Sequence, residues 1–165
     1  MAEIDDAEAF LAAKKEAVGT ASWGEGARPG LIKVEWPIYI GGESTGGRLV
    51  VEVATGLNPP QFTIVLLMDK CLGRLDYDVH ARHINPMKPP KGVPHGKIEG
   101  PHYHTLRDNK RLSERGSVPR DLKFARPLPP ARRDLMSCLQ WFCELTNIAI
   151  RGDQLPSEPE QGRLL

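Results

Sequence analysis

The sequence predicts an α+β fold: an antiparallel sheet of four to five strands packed by an N-terminal and a C-terminal helix. Three observations predict it. Apolar and polar residues alternate strictly over 32–40, apolar residues recur at helical spacing near both ends, and 16 Gly and 15 Pro in 165 residues supply many turns. That length suits one domain burying roughly 70% of its extended surface. It is read as a single domain over 1–150 followed by a flexible C-terminal tail over 151–165.

Each element has a local warrant. Asp5-Asp6-Ala7-Glu8 offers a helix cap with a glutamate three residues on, and Phe10, Leu11, Lys14 and Val18 continue at helical spacing up to Gly19. Ser22 to Gly30, glycine-rich around Trp23, reads as a loop. Ile32, Val34, Trp36, Ile38 and Ile40 alternate with Lys33, Glu35 and Tyr39, which specifies a strand with one buried face; Pro37 argues against a central place for it. The glycine-rich stretch 41–47 is a hairpin or mobile loop, since it lacks the Lys-Ser/Thr ending of a phosphate cradle. Leu49, Val51 and Val53 mark a second strand, Phe62–Met68 a third, Arg74–Arg82 a fourth and Lys97–Leu106 a fifth. Four prolines between Asn85 and Pro94 predict a rigid, strand-free excursion. Residues 107–130, basic and proline-dotted, read as a lid or a loop that orders on a partner. The helix from 131 to 145 places Leu135, Cys138, Leu139, Phe142 and Leu145 on one face and closes the core.

Composition narrows the class. No stretch approaches eighteen apolar residues, and the acidic opening Met1-Ala2-Glu3-Ile4-Asp5-Asp6 is unlike a secretory signal, so a cytoplasmic protein without membrane contact is expected. Cys71, Cys138 and Cys143 form no Cys-x-x-Cys pair and read as reduced and buried. The net charge of +1 conceals a division: residues 1–69 carry −5, residues 70–133 carry +9 and residues 134–165 carry −3. A basic middle of this kind suits one face meeting a phosphate backbone or another polyanion.

All five histidines fall between positions 80 and 104. If Leu75, Tyr77 and Val79 face the core, then Asp76, Asp78, His80 and Arg82 share the opposite face of the fourth strand. His102 and His104 share a face of the fifth, with Tyr103 turned away. Pairing the two polar sides brings Asp76, Asp78, His80, His102 and His104 together beside Arg82 and Arg107.

Two chemistries use such a group. In metal-free phosphodiester cleavage, His102 and His104 act as general acid and base, Asp78 orients one of them, and Arg82, Arg107, Lys110 and Arg111 hold phosphate. RNA offers its own 2′-hydroxyl as nucleophile and needs no cofactor. In the metal-dependent alternative, a hydrolase or phosphoesterase, His80, His102, His104 and Asp76 ligate a divalent metal ion with an open position for water. His83 and His95 lie in proline-rich segments and read as loop residues.

Pro101-His102-Tyr103-His104-Thr105-Leu106-Arg107-Asp108 resembles the Pro-His-x-His-x-x-Arg-Glu core of a family of small, largely uncharacterised bacterial and phage domains. His83-Ile84-Asn85-Pro86 resembles the His-x-Asn-Pro preceding it there, and Thr146-Asn147-Ile148 the family's terminal Asn-Ile, so the similarity spans about residues 70–148. The resemblance adds weight to His83, His102 and His104. It implies a toxin–antitoxin or phage–host conflict protein, with a cognate antitoxin or a host complex as partner.

The expected function is therefore an endoribonuclease or RNA-binding protein, as a monomer or a homodimer. A non-enzymatic interaction module, such as a phage inhibitor or an antitoxin-like partner, is the third reading. Shape separates them: an enzyme holds its imidazoles in a concave cleft, whereas a binding module presents a flat or protruding basic surface.

Overall fold

Period-two alternation runs through four consecutive strands, β3 (Leu31–Ile40), β4 (Glu43–Ala54), β5 (Gln61–Leu67) and β6 (Cys71–Tyr77), which form an antiparallel meander. These belong to a computed structural model that describes residues 3–157 and residue 159. Gly41 and Gly42 connect β3 to β4 with φ of 59° and 82°, a left-handed pair that glycine adopts without a Cβ penalty. The inward residues of the meander, among them Val34, Trp36, Leu49, Val51, Ile64, Leu66 and Leu75, form the core.

The sheet is larger than four to five strands, and that expectation is corrected. Among the described residues it has nine strands, is mixed, and curls into a half-barrel. Beyond β6 lie β9 (His102–Thr105) and β10 (Arg126–Pro127); beyond β3 lie β1 (Lys15–Ala17) and β11 (Ile148–Ala149), with β2 (Gly24–Glu25) also paired to β3. The β1–β11 pair is parallel. A separate two-stranded ribbon joins β7 (Arg82–Ile84) to β8 (Lys97–Glu99). The extra strands are two to four residues long, too short to carry a readable period.

Helices are few and short. The first, α1 (Ile4–Ala12), stops well before Gly19 because Lys15 turns back to its end: the buried ammonium donates to the carbonyls of Phe10, Leu11 and Ala13 at 2.8, 2.9 and 2.8 Å. Released from the helix, residues 15–17 form β1. The second, α2 (Leu106–Asn109), is a single turn, and α3 (Leu135–Leu145) begins four residues later than the expected 131. Asp134 sets that start by accepting the Ser137 N–H at 2.8 Å. Phe142 of α3 sits against the β6 backbone at Gly73, where an added Cβ would lie 3.4 Å from its ring. Leu145, expected on the buried face, is 44% exposed.

Pro37 lies in a central strand after all, because β3 pairs with β4 on one side and with β1 and β2 on the other. The missing donor is accommodated by a register shift between Pro37 and Tyr39, while the Pro37 carbonyl accepts the Val18 N–H at 3.0 Å. The segment expected to be a loose tail begins with an anchored turn. Gln154 is 2% exposed, donates to the carbonyls of Ala17 and Gly19, and accepts the Trp36 indole N–H. Residues 158 and 160–165 of that tail lie outside the described residues.

Candidate active site

The register of β6 against β9 builds the site. Asp76 stands opposite His102, and Arg74 opposite His104. Directly opposed residues share a face, so these four side chains lie together on the side of the sheet away from α3, while Tyr103 turns to pack edge-on against Trp141 of α3. The same row continues across the sheet as Thr63, Glu52 and Lys33.

Asp76 joins the group. Arg74 donates to its Oδ1 from Nε and Nη2 at 2.8 and 2.6 Å. The other oxygen, Oδ2, lies 3.5 Å from His104 Nε2 and 3.7 Å from His102 Nε2. Burial alone would raise the Asp76 carboxyl; hydrogen bonding to His104 and Arg74 outweighs it and holds the group below the usual carboxylate range.

The third imidazole comes from outside the main sheet. The fourth strand ends at Tyr77 rather than Arg82, because Asp78 turns the chain: its Oδ1 accepts the His80 N–H at 2.8 Å and its carbonyl accepts the Ala81 N–H at 3.1 Å. The expected fifth strand breaks at Gly100, which has φ of 83°, and its first half becomes β8. The β7–β8 ribbon then folds over the face and delivers His83. Ring centroids of His83, His102 and His104 are 5.0–5.3 Å apart. One ring nitrogen from each of the three lies within 4.8 Å of the other two.

Hydrogen bonds fix which nitrogen is free in two of the rings. His102 Nδ1 meets the Gly100 carbonyl at 2.9 Å, and His83 Nε2 meets the Lys123 carbonyl at 2.9 Å. A carbonyl only accepts, so those nitrogens carry the protons and leave lone pairs at His102 Nε2 and His83 Nδ1. His104 Nε2 faces the Asp76 carboxylate, while its Nδ1 is buried and has no partner among the described residues.

Two asparagines hold the cover in place. Asn85 donates to the Ala125 carbonyl and accepts the Ala125 N–H; Asn109 does the same with Phe124. Asp108 binds Arg126 through both oxygens, at 2.7 and 2.8 Å, and Arg126 reaches the Gly92 carbonyl. The segment expected to be a loose lid is thus strapped to the ribbon that carries His83.

The three imidazoles and Asp76 line a cleft of about 450 Å³. Asp78 lines it too, with one carboxylate oxygen on the turn backbone. His80 is exposed in the turn and is not among the cleft residues, and its place is taken by His83. Arg82, Arg107, Lys110 and Arg111 do not line the cleft. Arg82 pairs across the ribbon with Glu99, Lys110 binds Glu8 at 2.9 Å, and Arg111 lies over the Phe124 ring and bonds the Lys88 carbonyl. Arg107 is exposed on α2. The arginines at the cleft are Arg74 and Arg28, the latter from a loop whose sequence carries no signal for it. Burial pushes the Cys138 and Cys143 thiols up to about 12, which suits packing rather than nucleophilic chemistry.

No family model, no curated protein and no solved structure matches this chain.

Proposed function

We propose that this protein hydrolyses phosphodiesters in the cleft between β9 and the β7–β8 ribbon, with RNA as the substrate class. The observation that carries the reading is the convergence of His83, His102, His104 and Asp76 in one concave site, with ring tautomers held by backbone carbonyls. A binding module has no need to gather three imidazoles, two of them buried, around unused lone pairs, since a buried polar atom left unpaired costs about 1–3 kcal/mol. An enzyme has that need, because attack on phosphorus releases a proton from the incoming oxygen and requires either a base in place or a bound cation that acidifies that oxygen.

Asp76 holds the His104 ring, in the role expected of Asp78. Arg74 fixes Asp76, and Arg28, which lines the cleft alongside Glu52 and Asp78, is the cation placed to meet phosphoryl oxygens. The three imidazoles, Asp76 and Arg74 all belong to the +9 segment, whose charge favours a polyanionic chain over a small ester. Incubation of labelled single-stranded RNA with the protein tests the reading. Cleavage is expected for the wild type and is lost in His102→Ala and His104→Ala that retain the wild-type circular dichroism spectrum. Equal cleavage, or equal inactivity, in folded wild type and variants would remove it.

A further inference from the structure

We propose that His83, His102 and His104 bind a single divalent transition-metal ion of the zinc class, with Asp76 as the carboxylate that holds the His104 ring. Binding is argued from the imidazoles alone; only the ion's use in hydrolysis rests on the reading above.

Imidazole ligands of a metal ordinarily donate their second nitrogen to a carbonyl or carboxylate, which fixes the tautomer and turns the lone pair inward. Two of the rings meet this requirement, and the third faces a carboxylate. His102 Nδ1 is committed to the Gly100 carbonyl, His83 Nε2 to the Lys123 carbonyl, and His104 Nε2 faces Asp76 Oδ2 at 3.5 Å. The nitrogens left over are His102 Nε2, His83 Nδ1 and His104 Nδ1. The last is the most telling, because His104 is 7% exposed and its Nδ1 has no hydrogen-bond partner among the described residues. A buried lone pair without a donor is a cost that a cation at that position removes.

The donor set and its charge select the class of ion. Three nitrogens suit zinc and its neighbours in the transition series, whereas magnesium and calcium prefer oxygen. A tetrahedral ion with bonds near 2.1 Å needs nitrogens roughly 3.4 Å apart. One nitrogen from each ring lies within 4.8 Å of the other two, so loading closes the rings by side-chain rotation. Three protein ligands leave a fourth position open to the cleft. An ion held this way lowers the pKa of bound water to about 7, the chemistry a hydrolytic centre requires. The set differs from the one read in the sequence, since His83 from the ribbon replaces His80.

Titration of Zn²⁺ into chelator-treated, dialysed full-length protein at neutral pH, followed by isothermal calorimetry, tests the proposal. One site per chain is expected. His83→Ala, His102→Ala and His104→Ala should each weaken it by more than about 100-fold, beyond what loss of an outer partner costs, while His80→Ala and His95→Ala leave it unchanged. Co²⁺ in place of Zn²⁺ should give the intense visible absorption of a tetrahedral site. Absence of saturable binding, or unchanged affinity in His83→Ala, would overturn the proposal; His83 lies on the peripheral ribbon, so that variant tests the site even where the sheet variants fail to fold. Zinc binding without RNA cleavage would sustain this proposal and remove the hydrolytic reading. Full RNA cleavage in excess chelator by protein shown to be metal-free would do the reverse for the ion's role.

Discussion

Asp76 and His102 face each other across the β6–β9 pair, with Asp76 Oδ2 3.7 Å from His102 Nε2. Arg74 occupies the other oxygen, so the carboxylate has one orientation and one free edge, and that edge faces the imidazoles. Asp76→Asn keeps the shape and removes the charge. RNA cleavage is expected to fall about 100-fold or more in single-turnover assays, and zinc affinity by about 10–100-fold in calorimetry.

Asn85 and Asn109 satisfy the backbone of Ala125 and Phe124 where water does not reach, being 3% and 0% exposed. Replacing either by Ala leaves a buried N–H and C=O unpaired, and each variant should lose about 2–3 kcal/mol in urea denaturation. Asn85→Ala should also weaken zinc, because the strap it holds carries the Lys123 carbonyl that sets the His83 tautomer.

Lys15 gives the fold a pH dependence with a definite sign. Burial pushes its ammonium down to about 8, against 10.5 in an unstructured chain. Between those values the unfolded chain binds more protons, so this group's contribution to stability rises with pH across that window and is flat below pH 8. Lys15→Met leaves three carbonyls without their donor and should cost roughly 2–4 kcal/mol. Thermal melts at pH 7.5 and pH 10 check both points: the gap between wild type and Lys15→Met should widen at the higher pH.

Gln154 ties residues 151–157 to the sheet by bonds to Ala17, Gly19 and Trp36. Gln154→Ala should lower stability by about 1–2 kcal/mol and speed proteolysis near residue 151, whereas a loose tail would be cleaved equally fast in both proteins.

The meander was legible in the sequence because each of its strands is long enough to show a period of two, and the same alternation placed Asp76, His102 and His104 on polar faces. Pairing by those faces was a condition of the sequence reading, and β6 and β9 meet it. The remainder depends on long-range contacts. Nothing near Lys15 announces that its ammonium ends α1, and Ile148-Ala149 becomes a strand only because Lys15–Ala17 lies beside it. At the site, alternation carried past Tyr77 put Asp78, His80 and Arg82 on the same face as Asp76. The Asp78 turn ends the strand there, and His83 arrives through a ribbon whose partner strand is thirteen or more residues away in sequence. A helix cap or a hairpin glycine is a local signal; a ribbon folding over a sheet is not.

His80 and His83 lie three residues apart in one short segment, yet only the second reaches the cleft. The most direct measurement is the rate of RNA cleavage by His83→Gln compared with His80→Gln, both shown to be folded. Cleavage reduced at least about 100-fold in His83→Gln and unchanged in His80→Gln is the predicted result. Equal rates in the two variants, or a loss confined to His80→Gln, would contradict the account.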